Sequence, residues 1–225
     1  MDLANRNDLE ALLAKKLGKL QQGQYKQLLT ALGDPPRLEN LSPDYFQRMA
    51  DELQGVIQPV LEDIYTQQTV ALMGLDKVKA VAVDWNLINQ RAAEWARKYS
   101  GTLCKNVSDS TRDAIRQQLE GFYRDARTMG DLEASLGRLF SPIRAEMIAI
   151  TEVTRASAQG ELAFAEELRR LGLKTTFVWQ TSQDDIVCPI CGPLNEKEQG
   201  QGWSDPPPAH PRCRCFINTK VIASD

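Results

Sequence analysis

Histidine is almost missing from this chain: His210 is the only one among 225 residues. A zinc-peptidase helix of the His-Glu-x-x-His kind is therefore excluded, because it needs two histidines one turn apart. Cysteine is scarce outside one stretch. Cys188, Cys191, Cys213 and Cys215 lie close together in sequence, and Cys104 stands alone. No apolar run approaches the ~20 residues that cross a bilayer. The start, Met1-Asp2-Leu3-Ala4-Asn5, lacks the basic-then-apolar pattern of a secretory signal. The expectation is a chain with no membrane contact, kept in a reducing cytoplasm, where clustered cysteines are metal ligands rather than disulfides. An excess of positive charge is also absent. The net charge is −3 and the sequence pI about 5.4, so any nucleic-acid contact must be a local patch.

What is present is mostly helical pattern. Apolar residues make up 42% of the chain and charged residues 25%, an ordinary globular balance. Leu9, Leu12, Leu13, Leu17 and Leu20 recur at helical spacing, with Lys15, Lys16 and Lys19 among them, so residues 1–33 read as one or two short helices on a solvated face. Gly33-Asp34-Pro35-Pro36 breaks the pattern. Ser42-Pro43-Asp44 reads as a helix start, and Phe46 to Ile64 step by three and four toward Leu72, with Pro59 expected to kink the helix or end its first half. A helix over 76–100 carries Trp85, Ile88, Ala92, Trp95, Ala96 and Tyr99 as core, closed by Gly101. Cys104 reads as a buried inert thiol. Ser108-Asp109-Ser110 is expected to cap a further helix ending near Gly130, followed by a short one at 131–140. Ser141-Pro142 starts a long helix that Gly172 terminates.

The period then changes. Thr175-Thr176-Phe177-Val178-Trp179-Gln180 is β-branched and aromatic, and residues 214–221 read as a second strand. The expected fold is mainly α with a small α+β C-terminal module: long amphipathic helices followed by a short β-hairpin and a Cys/His-rich loop. The breakers suggest three segments, 1–36 as a helical arm, 37–106 as a helical region and 107–225 as the C-terminal domain.

Between the strands lie Cys188-Pro189-Ile190-Cys191 and His210-Pro211-Arg212-Cys213-Arg214-Cys215. Cys-x-x-Cys is a knuckle that wraps zinc between two thiolates, and small loop-rich modules need such a staple. Cys213 and Cys215 face the same side of a strand. Five donors compete for four tetrahedral positions: Cys188, Cys191 and Cys215, with either His210 or Cys213. Zinc deaminases place His-x-Glu upstream of Pro-Cys-x-x-Cys, whereas here Val187 precedes Cys188 and the histidine follows the pair. A closed structural zinc therefore fits better than a catalytic one, and no catalytic residue is assigned. Arg212, Arg214 and Lys220 are candidate phosphate contacts.

The order of motifs resembles a known family. Thr151-Glu152-Val153-Thr154-Arg155 on a helix, Gly160, Trp179-x-Thr181, Asp185 before Cys188-x-x-Cys191, and Pro207-Pro208-Ala209-His210-Pro211-Arg212-Cys213-Arg214-Cys215 are similar to the C-terminal domain of phage minor head, or head-morphogenesis, proteins like phage Mu protein F. The resemblance implies a virion component in few copies, inside the capsid near the portal. Its partners would be the portal and the major capsid or scaffold protein, with phage DNA as a further contact. Its role would be head assembly and DNA packaging or delivery. Thr151, Glu152, Arg155, Trp179 and Asp185 would be its structural motif, with Glu152 pairing Arg155 or anchoring the cysteine loop. Ile150 stands where the family often has a basic residue, and the C-terminal toxin or enzyme domain that some relatives carry is not expected here, with Asp225 the last residue. The competing classes are a metal-dependent enzyme on nucleic acid, using Asp184 or Asp185, and a plain DNA-binding module.

Overall fold

The computed structural model describes residues 3–73, 84–182 and 187–222. Among them, α1 (Arg6–Leu32), α2 (Tyr45–Met73), α3 (Trp85–Arg124), α4 (Met129–Leu139) and α5 (Pro142–Arg170) precede an antiparallel pair, β1 (Lys174–Gln180) and β2 (Phe216–Ile222). The mainly α architecture with a C-terminal hairpin and Cys/His loop is as the pattern predicts.

One helix departs outright from the sequence reading and two sharpen it. Residues 6–32 form a single 27-residue helix, where one or two short ones are expected. Leu13 and Leu17 are fully buried, whereas Leu12 faces outward. α2 reaches Met73, close to the end expected near Leu72, and Pro59 lies inside it without ending its first half. α3 is a single 40-residue helix that runs through both Gly101 and Ser108-Asp109-Ser110. A helical glycine costs only about 1 kcal/mol, which packing outweighs. The Ser108 hydroxyl does not cap an N–H. It donates to the Phe46 carbonyl at 2.7 Å, while Thr111 donates to Val107 one turn back at 2.6 Å. The part of the expected 76–100 helix before Asp84 falls outside the described residues. Trp95 packs on Tyr65 with ring centroids 5.7 Å apart, as expected of a core residue, but Trp85 is exposed. Cys104 is buried.

The chain separates into two compact units. One comprises residues 11–59 and 97–146, the other residues 1–10, 60–96 and 147–225. Each of the segments 1–36, 37–106 and 107–225 supplies residues to both, because the long helices carry apolar stripes past the breakers.

The first unit is built on aliphatic packing. Leu28 and Leu32 of α1, Met49 of α2, Ile115 and Leu119 of α3, and Leu132 and Leu136 of α4 form its core. Each buried leucine contributes roughly 1.5–3 kcal/mol. Thr128 opens α4 with a capping box: its hydroxyl accepts from the Asp131 N–H, and the Asp131 carboxylate accepts from the Thr128 N–H.

The second unit centres on α5. Gly160 touches α2 so closely that a Cβ there would lie 2.6 Å from the Tyr65 carbonyl oxygen and 2.8 Å from Gln68 Cβ. Around this crossing runs a buried polar chain. Ser157 donates to Gln68 (3.2 Å), Gln68 donates to Glu161 (3.0 Å), and Glu161 accepts the backbone N–H of Thr219 on β2 (2.6 Å). α5 ends as the sequence predicts: the N–H groups of Gly172 and Leu173 reach back to Arg169 and Leu168, with Gly172 at φ +88°. The hairpin that follows pairs Trp179 with Ile217 and Lys174 with Ile222.

Candidate metal centre

Residues 187–215, in the connection between the strands, fold back on β1. The Trp179 N–H donates to the Lys197 carbonyl (2.9 Å), Glu196 N–H to Trp179 (2.8 Å) and Gln199 N–H to Phe177 (2.9 Å). Thr181 holds Asn195 through both its N–H and its hydroxyl. Beneath this loop Phe177, Trp179, Trp203 and Ile217 pack with Cys191, Cys213 and Cys215. The two indoles meet edge to face at 5.4 Å. Three of the residues in this small core are thus cysteines.

The knuckle forms because the N–H groups of Cys191 and Gly192 both bond the Cys188 carbonyl, at 3.1 and 2.9 Å, while the Cys191 N–H also approaches the Cys188 Sγ at 3.3 Å. The other half of the site is a turn in which Cys213 N–H donates to the His210 carbonyl at 3.2 Å. Together they bring all five predicted donors to one place. His210 Nε2 lies 3.0 Å from Cys188 Sγ and 3.3 Å from Cys191 Sγ, and Cys191 Sγ lies 3.8 Å from Cys213 Sγ. The donors fall into two overlapping triads, Cys188–Cys191–His210 and Cys191–Cys213–Cys215, each with its donor atoms within 4.8 Å of one another. Cys191 belongs to both. A cavity of about 40 Å³ opens among these side chains, flanked by Arg212 and Arg214.

The electrostatics divide the thiols. Cys213 is held down to about 5 because the Cys215 thiol donates to it, against the cost of its burial. Cys215 is correspondingly pushed up, by that same bond and by burial. Burial, then the neighbouring Cys213, raises Cys191 to about 12. Burial opposes ionisation of Cys188, but amide donors and His210 shift it down on balance. Burial likewise opposes the charged form of His210, yet the Pro211 carbonyl and the adjacent thiols raise it. Its Nδ1–H donates to the Pro211 carbonyl at 2.8 Å, which aims Nε2 at two sulfurs. Such a nitrogen facing two sulfurs requires a cation or a proton between them. A metal ion would supply that cation and deprotonate its thiol ligands outright. Soft sulfur donors with one imidazole are the set that zinc takes.

Two threonines of α5 tie this site to the helix. Thr151 Oγ1 accepts the Arg212 N–H at 2.9 Å, and Thr154 Oγ1 donates to the Cys213 carbonyl at 2.6 Å. Arg212 has φ +62°, a conformation that costs a non-glycine residue roughly 1–2 kcal/mol, and the Thr151 bond helps offset that cost. Arg6 donates to Thr154 in turn, at 2.8 Å. Glu152 is buried and lies 3.5 Å from Arg155, the helix pair the spacing implies. Thr154 and Trp203 were not singled out by sequence reasoning. Thr154 follows Thr151 at helical spacing, a usable signal, whereas Trp203 sits in a glycine-rich loop with no periodicity around it. Asp184 and Asp185 lie outside the described residues.

The basic trio is engaged within the fold. Arg214 makes a bidentate bond to the buried Glu10 carboxylate, with its shortest contact at 2.7 Å. Lys220 pairs with Glu198 at 2.7 Å. Arg212 contributes its backbone N–H to Thr151 and flanks the cavity.

These features define a helical protein that carries a Cys/His-rich hairpin module, clipped to its last long helix by threonines. The family model described as phage Mu protein F like matches residues 103–218, and the chain belongs to this family, one of phage head-morphogenesis proteins. That span contains all five donors, both threonines, the whole of β1 and the first three residues of β2. No curated protein and no solved structure matches the chain. None of the helices among the described residues is long and apolar enough to cross a membrane.

Proposed function

We propose that this chain is a minor capsid protein of a tailed phage. It sits inside the head at the portal, contacts the portal and the major capsid or scaffold protein, and assists head assembly and DNA packaging or delivery. Its role is structural rather than enzymatic. The observation that carries this reading is the family match, which spans the donor cluster together with the α5 threonines that position it. Within that role, Cys188, Cys191 and His210 hold a structural zinc, with Cys213 or Cys215 as fourth ligand. The ion joins the two ends of the connection between β1 and β2, so that the hairpin presents a fixed surface. A closed site of four protein ligands leaves no position for substrate.

The test is compositional and biochemical. Purified heads should contain the chain in few copies per particle, and the full chain should co-purify with its portal protein. Absence of the chain from assembled heads would overturn the assignment. Its presence in heads without portal binding would remove the portal as partner.

A further inference from the structure

A dense run of exposed, unengaged cations lies on α1. Between Ala11 and Leu32 the helix has four lysines, Lys15, Lys16, Lys19 and Lys26, and no Asp or Glu. All four are exposed, and none of their ammonium groups makes an ion pair or hydrogen bond among the described residues. This local charge of +4 stands against a net charge of −3 for the chain.

At ~100° per residue, Lys15, Lys19, Gln22 and Lys26 fall within an arc of about 60°, in a straight row about 16 Å long. Acidic groups of neighbouring elements border the row on either side. Glu52 of α2 lines a groove with Lys16 and Lys19, and Glu133 of α4 lies beside Tyr25. Between Lys15 and Lys26 the row itself carries no carboxylate; Asp8, on the same face, lies two turns before Lys15. Gly18 and Gly23 lie alongside it, and a Cβ at either would meet nothing within 4 Å. Nothing inside the fold requires these two glycines, and they leave the helix backbone open to close approach.

We propose that the Lys15–Lys19–Lys26 row is a sequence-independent contact for the phosphate backbone of duplex nucleic acid. Lysine is a point charge on a flexible stem, suited to phosphates at variable spacing and unsuited to reading bases. A protein partner would need buried aromatic or apolar anchors; the row offers Leu12 at one end, and the adjacent groove adds only the half-buried Leu20 and Val56, with no aromatic side chain. The inference stands on charge and helix geometry, independently of the head-protein reading.

The experiment measures binding of a generic duplex DNA to the full chain by fluorescence anisotropy, starting at about 50 mM salt. The wild type should bind with a steep salt dependence. The triple variant Lys15→Gln/Lys19→Gln/Lys26→Gln should lose at least about tenfold in affinity and lower the salt slope by roughly 3, at about 0.9 per lysine. Lys220→Gln should leave both unchanged. Should the triple variant lose helix content, the single Lys19→Gln must still lower the slope by about 0.9. No duplex binding at low salt would overturn the proposal, as would a loss confined to Lys220→Gln. Binding of a polyglutamate peptide in place of duplex would overturn it too.

Discussion

The two regions of this molecule that matter most are held together by different chemistry. The unit formed by residues 11–59 and 97–146 relies on leucine, isoleucine and phenylalanine from four helices. The hairpin module has a core in which two tryptophans and three cysteines share the space, and it reaches α5 through bonds between side chains and backbone. An aliphatic core loses stability in proportion to what is removed. A module fastened by donors and clips should instead fail at particular atoms.

The largest expected effect tests that contrast directly. Cys191 belongs to both donor triads, so Cys191→Ser should abolish metal retention and unfold the module. Structural zinc accounts for on the order of 10 kcal/mol in small zinc domains. Near-UV circular dichroism from Trp179 and Trp203 should collapse while most far-UV helix signal remains. In the aliphatic unit, Leu136→Ala should cost about 2–5 kcal/mol in chemical unfolding and leave metal content unchanged. Gly160→Ala comes next. Its new methyl meets the Tyr65 carbonyl, and overpacking of this kind costs about 1–3 kcal/mol, seen as a lowered Tm.

Thr154→Val keeps the shape but removes the hydroxyl that links Arg6 to the Cys213 carbonyl, and should cost about 1–3 kcal/mol. Its signature would be faster hydrogen exchange around residue 213. The smallest effect is at the α4 cap, where Thr128→Ala should cost about 0.5–2 kcal/mol. Hydrogen bonds from Thr128 hold Asp131 below the usual carboxylate range. A depressed folded pKa means the contribution is present at neutral pH, above the unfolded value, and is lost as pH falls through the folded value. The stability gap between wild type and Thr128→Ala should therefore narrow in acid, leaving the part due to the Asp131 N–H bond to the hydroxyl.

Much of this contrast was legible in the sequence, for physical reasons that differ by region. The leucine stripe of α1, the proline start of α5, its Gly172 stop and the β-branched run of β1 are local signals, and each lies where its chemistry requires. The five donors were legible because few other roles bring Cys-x-x-Cys and His-x-x-Cys-x-Cys together. The continuity of α3 was not legible. Gly101 and Ser108-Asp109-Ser110 have the composition of a stop and a cap, and only the distant Phe46 carbonyl shows what Ser108 does instead. Arg214 was misleading for a similar reason, since its partner Glu10 is 204 residues away. The division of labour among Thr151, Glu152 and Thr154 also depends on where the loop lands on α5. The preferred ligand set shifts slightly as well, because His210 lies against Cys188 and Cys191 whereas Cys215 adjoins Cys191 and Cys213.

The account rests most directly on metal content. Reduced protein, purified without added metal and analysed by mass spectrometry under native conditions, should carry about one zinc per chain. Cys188→Ser and Cys191→Ser should carry essentially none, and Cys104→Ser should match the wild type. Wild-type protein with well under half an equivalent of any metal, and an intact near-UV tryptophan signal, would contradict the fastener reading.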